Sequence, residues 1–347
     1  MTGVRASSGE QDLLELTERG LYCAAGDFYI DPWTPVPRAV VTHAHADHAR
    51  PGCGSYLASE EGELVLRRRL GDAARIESIP FGRRVSIEGV SVSLHPAGHI
   101  LGSSQVRVEH RGRVWVVSGD YKGEADPTCS PFEPLACDVF VTESTFGLPI
   151  YRWQPQSEVF AEIDAWWRDN RDAGRVSLLL AYALGKAQRL LAGIDRSIGP
   201  IYTHGAVEKL TEDYRAAGID LPDTTYVGAV AARGHDWAGA LVLAPPSVLG
   251  TSWVRRFGEL SAGFASGWMR IRGPRRRRSV DRGFALSDHV DWPGLLAAIE
   301  ATGARRVLVT HGYSEQVVRW LREKGLAAEA LPTRFADRLE GAAEGET

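Results

Sequence analysis

One stretch constrains this chain more than any other: Ala39–Pro51, AVVTHAHADHARP, which packs His43, His45, Asp47 and His48 into six residues. Val40 and Val41 lead into it. A β-branched pair ahead of polar residues predicts a buried strand that delivers those side chains at its end. Three imidazoles and a carboxylate make a poor core and a good metal site. Nitrogen donors with one carboxylate suit Zn²⁺ best, with Mn²⁺ or Fe²⁺ as lesser options. The bland alternative is a polar loop in which His clusters by chance. An expression tag would sit at a terminus and carry His alone, so that reading is set aside.

The same arrangement recurs along the chain. Residues 20–31, GLYCAAGDFYID, read as a strand ending in Asp31 ahead of Pro32. A carboxylate there can hold an imidazole of the cluster in one tautomer, although a turn-forming Asp is the plain alternative. Ser59–Leu70 has helical spacing, with Arg67, Arg68 and Arg69 at its solvated end. Val85–Leu94 reads as a hairpin about Glu88–Gly89 and leads to His99, the natural additional ligand. His95 falls within the strand alternation and reads as structural or supporting. Val106–His110 and Val114–Val117, joined by Arg111–Gly112, end in Ser118-Gly119-Asp120. Asp138–Val141 ends in Thr142-Glu143, and Val307–Thr310 ends in His311. Ligands gathered from strand ends at one sheet edge are a common way to build an open α/β site.

The middle of the chain differs. From about Leu148 the pattern becomes strand and helix in alternation, which predicts a second, smaller α/β unit. Ser157 is a plausible helix cap, with Val159, Ile163, Trp166 and Trp167 on one face; the tryptophans read as packing. Val176–Ala183 has the length of a buried parallel strand, and a helix opens at Leu184-Gly185-Lys186. Gly185-Lys186 lacks the rest of a P-loop, which excludes nucleotide hydrolysis by that route. Pro200–Thr203 and Ala240–Ala244 read as further parallel strands, with a helix over Glu208–Ala217 between them. Towards the C-terminus helices are expected over Asp291–Ala301 and Val318–Gly325. No appended recognition domain is expected after the last one, only the acidic tail Gly341–Thr347.

Whole-chain properties narrow the partners. A net charge of −4 over 347 residues gives no global pull toward nucleic acid or membrane, so any basic surface must be local. Arg270–Arg278 holds six arginines, and Arg275, Arg276, Arg277 and Arg278 run consecutively; these are the candidate phosphate contacts. No membrane span or signal segment is expected. The four cysteines show no CxxC pairing, which fits reduced thiols in a cytoplasmic enzyme. Cys53 reads as a small buried thiol and not as a ligand.

His43, His45, Asp47, His48, His99, Asp120 and His311 suffice for two divalent metals, with Asp120 bridging. A metal pair supplies a hydroxide nucleophile at neutral pH and suits hydrolysis of a phosphodiester. His289 is the candidate for the general acid or for phosphate stabilisation, and Glu143 would orient either a ligand imidazole or His289; Asp47, His289 and Glu143 are the expected catalytic side chains.

HAHADH with AGH (Ala97–His99), SGD (Ser118–Asp120) and the C-terminal His311 resembles the metallo-β-lactamase fold. TEST (Thr142–Thr145), AYALGKAQ (Ala181–Gln188), LSDH (Leu286–His289) and VTHG (Val309–Gly312) resemble its β-CASP nuclease branch. GLYCAAGDFYIDPW followed by HAHADHARPG is most similar to bacterial ligase-associated DNA exonucleases. The resemblance implies an αββα sandwich over residues 1–148 and 279–347, with a β-CASP domain inserted at 149–278. It implies zinc, or manganese, at the seven residues above, with Glu143, His289 and His311 at the three diagnostic β-CASP positions. It further implies a DNA exonuclease of repair, working in a ligase or helicase pathway. His311 points the other way, because RNA-processing members tend to carry His there. RNA processing is therefore the alternative. A small-ester hydrolase would share the metal residues, but a small substrate needs no such inserted cover. A catalytically dead binding protein would be expected to have lost ligands.

Overall fold

A computed structural model of the chain describes residues 12–230, 234–271 and 280–333. Arg275–Arg278 and the acidic tail lie outside the described residues.

The chain opens with a sheet of six strands in sequence order: β1 (Glu15–Thr17), β2 (Gly20–Cys23), β3 (Phe28–Ile30), β4 (Arg38–Val40), β5 (Ser55–Ser59) and β6 (Ile76–Ile79). The single strand expected over 20–31 is two, β2 and β3, because Asp27 at φ +47° turns the chain back. Helix α1 (Glu63–Leu70) sits between β5 and β6 and starts later than its spacing suggested.

A second sheet begins with β7 (Arg84–Ile87), β8 (Val90–Pro96), β9 (Ser104–His110), β10 (Arg113–Val117) and β11 (Val139–Glu143). Its two hairpins turn where expected. Glu88 and Gly89 take φ +47° and +85°, and Arg111 and Gly112 take +49° and +77°. Paired positive φ matches the twist of antiparallel strands.

Helix α2 (Gln156–Asp172) follows. Ser157 does not cap it: Pro155 holds the cap position, without a side-chain bond. A third sheet is wholly parallel and comprises β12 (Val176–Leu180), β13 (Ile201–Thr203), β14 (Thr225–Tyr226), β15 (Leu241–Ala244), β16 (Leu260–Ala265) and β17 (Arg282–Phe284). Its spatial order is β14-β13-β15-β12-β16-β17. Helices α3 (Lys186–Gly193) and α4 (Gly205–Ala216) belong to its crossovers. Helix α5 (Trp292–Thr302) is capped by the Asp291 carboxylate, which accepts from Gly294 N at 3.0 Å. Then β18 (Arg306–Thr310), helix α6 (Ser314–Glu323) and β19 (Ala327–Ala330) complete the second sheet beside β11.

The first two sheets pack face to face. Leu21, Phe28, Ile30 and Leu57 of one meet Val92, Val108, Trp115 and Val141 of the other in a single apolar core. The outer face of the second sheet is covered by α5 and α6. The outer face of the first meets α1 and, in the same cluster, α2, α3 and α4 of the third sheet. That continuous core fixes how the third sheet stands on the other two. Trp166 and Trp167 are buried in it as packing. Among the described residues, no helix is long and apolar enough to cross a membrane.

Candidate metal centre

Strands β10, β11 and β18 are parallel neighbours, with Val117 opposite Val141 and Glu143 opposite Thr310. Parallel pairing puts their C-terminal ends on one edge, and Asp120, Glu143 and His311 follow there. His43–His48 arrives just beyond β4, and His99 in the loop after β8.

The donor atoms converge tightly. His43 Nε2 lies 3.0 Å from His45 Nδ1, and His99 Nε2 lies 3.1 Å from the same atom. Asp120 Oδ2 stands 3.6 Å from His43 Nε2 and 3.9 Å from His99 Nε2. Four donors about 2.0–2.1 Å from a central ion would be about 3.3–3.4 Å apart at tetrahedral angles, so this set fits one zinc-sized cation. Among the described residues, His43, His45, His99 and Asp120 form a group that could hold a metal ion. A second, looser set adjoins it. His48 Nε2 is 3.5 Å from Asp120 Oδ2 and 3.7 Å from Asp47 Oδ2, and it is buried with no hydrogen-bond partner. The His311 ring stacks on His48 at 5.5 Å. A buried imidazole nitrogen aimed at two carboxylates, with Asp120 between both sets, is the donor geometry a cation would satisfy.

Electrostatics agree at the first set; at the second, burial would lower His48, but Asp120, Asp47 and Asp31 raise it well above its ordinary pKa, so a cation there would take the place of a proton. Burial, and then the neighbouring His48 and His45, hold His43 well below its ordinary pKa; burial, His289 and His45 do the same to His99. Both rings are thereby kept neutral and able to ligate. Burial would raise Asp120, but His48 and His289 outweigh it and keep the carboxylate ionised.

The supporting partners are short-range and specific. Asp31 Oδ2 lies 2.7 Å from His48 Nδ1. Thr42 donates its hydroxyl to the same oxygen at 2.6 Å and lies 3.0 Å from His43 Nδ1. Gly119, at φ +57°, brings the chain over Thr42 so closely that a Cβ would meet the Thr42 Cβ at 2.7 Å. His289 Nδ1 sits 2.9 Å and 3.0 Å from the two Glu143 oxygens. Tyr121 N donates to Glu143 Oε1 at 2.9 Å. Burial would lower the His289 pKa, yet Glu143 and Asp120 raise it to about 9.

All seven candidate ligands, with Asp31, Glu143 and His289, are thus gathered at one place. His95 stands apart, bonded to Ser93 Oγ at 3.0 Å. Cys53 contacts the Arg50 carbonyl through sulfur at 3.8 Å and is only half-buried. Reading the sequence missed Thr42, whose one signal is its place directly before the first His, and Lys186 with Asp288. It also missed two carbonyls: Leu184 O faces His45 Nε2 at 3.3 Å, and Asp288 O faces His99 Nδ1 at 2.9 Å.

No family model matches the chain. It is 34% identical over 316 residues to a probable DNA ligase of Opitutus terrae, across 90% of this chain and 30% of that protein. It is 36% identical over 124 residues to the endoribonuclease ysh1 of Schizosaccharomyces pombe, across 35% of this chain and 16% of that one. With the endoribonuclease ysh-1 of Neurospora crassa it shares 31% over 161 residues, 45% of this chain and 18% of the relative. The relatives carry the names of nucleic-acid enzymes. The chain spans less than a third of the length of each. A crystal structure of a protein of unknown function from Enterococcus faecalis V583 has a similar fold, with a TM-score of 0.59 and 12% identity over 86% of this chain and 79% of that one.

Proposed function

We propose that the chain is a metal-dependent phosphodiesterase of the β-CASP branch of the metallo-β-lactamase fold, acting on nucleic acid. The observation that carries this reading is the convergence of His43, His45, His99 and Asp120 beside the Glu143–His289 pair. Two sheets packed face to face with helices outside suit an αββα sandwich, and the third sheet suits an inserted β-CASP unit; its last strand, β17, pairs with β16 and carries that unit to Phe284, beyond the expected bound at 278 between 1–148 and 279–347.

His43, His45, His99 and Asp120 would hold one divalent metal, and Asp47, His48 and His311, sharing Asp120, a second. Zinc suits so many imidazoles, with manganese the alternative. When bound, such a pair makes a water nucleophilic at neutral pH and offsets charge on the phosphate. The chain's own residues do the rest. Glu143, held by the Tyr121 amide, accepts from His289 Nδ1 and fixes the ring, which leaves Nε2 to hand a proton to the departing oxygen. Asp31 and Thr42 hold His48 and His43 in one orientation. Chelation should abolish cleavage of bis-p-nitrophenyl phosphate, and added Zn²⁺ or Mn²⁺ should restore it. A protein that stays inactive with either metal would sink the reading.

We read the substrate as DNA and the mode as exonucleolytic, in repair beside a ligase or helicase, in the cytoplasm. Its support is that the alignment with the DNA-ligase-named relative runs through 90% of the chain, against 35% and 45% for the two endoribonucleases. RNA processing is the second reading, favoured by those endoribonuclease names and by His311. Single-stranded DNA and RNA of one sequence, labelled separately at each end, separate the two. Progressive shortening of DNA is expected; cleavage of RNA alone would replace the first reading with the second.

A further inference from the structure

Helix α3 approaches the metal centre from the third sheet, and its first residue is an ammonium with almost no access to water. Lys186 is 2% exposed. Its Nζ donates to Asp288 Oδ1 and, at 3.3 Å, to the Leu286 carbonyl. A buried ion pair is weak evidence for stability, because lost hydration offsets most of the attraction. The pair matters here for what it touches.

What it places are two imidazoles. Asp288 presents its own carbonyl to His99 Nδ1 at 2.9 Å. Leu184, two residues before Lys186, presents its carbonyl to His45 Nε2 at 3.3 Å. Arg189, one turn further along α3, donates to the His99 carbonyl at 3.0 Å. In both rings the nitrogen facing away from the ligand point is thus held by backbone whose position depends on the seating of α3 against Asp288. The seating is tight. Gly185 has φ +85°, and a Cβ there would lie 2.2 Å from Ile100 Cγ2, in the residue after His99.

We propose that Lys186 is a positioning residue for the metal centre: by clasping Asp288 it seats α3 so that the Leu184 and Asp288 carbonyls orient His45 and His99. Metal binding is thereby coupled to docking of the third sheet. The inference rests on reading His43, His45, His99 and Asp120 as ligands, and not on nuclease activity. Partners of ligand imidazoles typically change metal affinity by about 10–100-fold.

Replacing Lys186 alone would strand a buried carboxylate, so the test removes both charges in Lys186→Met/Asp288→Leu. Gly185→Ala is the second variant; it keeps the charges and pushes α3 away from Ile100. Each protein is stripped of metal, its fold is checked by thermal melting, and its zinc affinity is measured by competition with a chromophoric chelator. Both variants should fold when metal-free and bind zinc about 10–100-fold more weakly than the parent. Parent-like affinity in either folded variant overturns the proposal. Loss of fold in one leaves the decision to the other, and loss in both overturns it, since the contact would then be structural. A parent that binds no zinc removes the metal centre itself, an outcome distinct from the failure of Lys186 alone.

Discussion

Thr42 illustrates how one hydroxyl sets two ligands. Because its proton goes to Asp31 Oδ2 at 2.6 Å, its lone pairs face His43 Nδ1 at 3.0 Å. That arrangement favours a proton on His43 Nδ1 and leaves Nε2 bare toward Asp120 and His45. Thr42→Val keeps the β-branch and removes the bond, so zinc affinity should fall about 10-fold with the fold unchanged. Chelator competition reads this, and an unaltered affinity would assign the hydroxyl no part in ligand orientation. His289 differs in kind, since the proposed chemistry has it supply a proton and it need not hold metal. In His289→Ala, oligonucleotide cleavage should drop about 100–10,000-fold while metal content stays at the parent level. Retained cleavage would remove His289 from the chemistry.

At the scale of elements, the site depends on strands ending together and on helices that keep them there. Trp167 of α2 is fully buried, and its indole N–H donates to the Gly239 carbonyl at 3.0 Å. Trp167→Ala should destabilise the protein by about 3–5 kcal/mol, read as a lower urea midpoint. A parent-like midpoint would mean that α2 is not needed to seat the third sheet. Asp138, just ahead of β11, accepts from Val114 N at 2.9 Å and from Arg305 at 2.7 Å. The Val114 amide leads in lowering its pKa below 3.8, against burial and with help from Arg305. A depressed folded pKa adds stability above the unfolded value and loses it as pH falls through the folded one. The urea-midpoint gap between the parent and Asp138→Asn should therefore be present at neutral pH and close as pH drops below 3.8. A gap that persists in acid would point to packing instead of charge.

For the whole molecule, the two facing sheets carry the donors, and the third sheet reaches them through α3 and the Leu286–His289 segment. With a net charge of −4, the proposed nucleic-acid substrate would have to be drawn by a local basic surface. Arg275–Arg278 is the proposed one. If all four contact phosphates of a single strand, changing them to Ser should flatten the log-affinity against log-salt slope by about 3. Equal slopes for parent and variant would leave the run with no phosphate contact.

Much of this was legible in the sequence, because its signals are local. Val40-Val41 ahead of HAHADH, Glu88–Gly89, Arg111–Gly112 and the apolar run from Val176 each carry their conformation in neighbouring residues. The candidate ligands were legible as side chains with few other uses at strand ends. What escaped depends on distant partners. Strands such as β5, β6 and β16 exist through the strands they pair with. Ser157 has the chemistry of a cap, but Pro155 takes the position. Lys186 and Asp288 are 102 residues apart, and Leu184 is 139 from His45. Every residue has a carbonyl, so no sequence marks the one that will face an imidazole. Sequence alone thus determined which side chains gather as candidate ligands and where they leave their strands; only the tertiary structure decided which backbone atoms hold them, because that depends on how α3 packs against the strand-end loops.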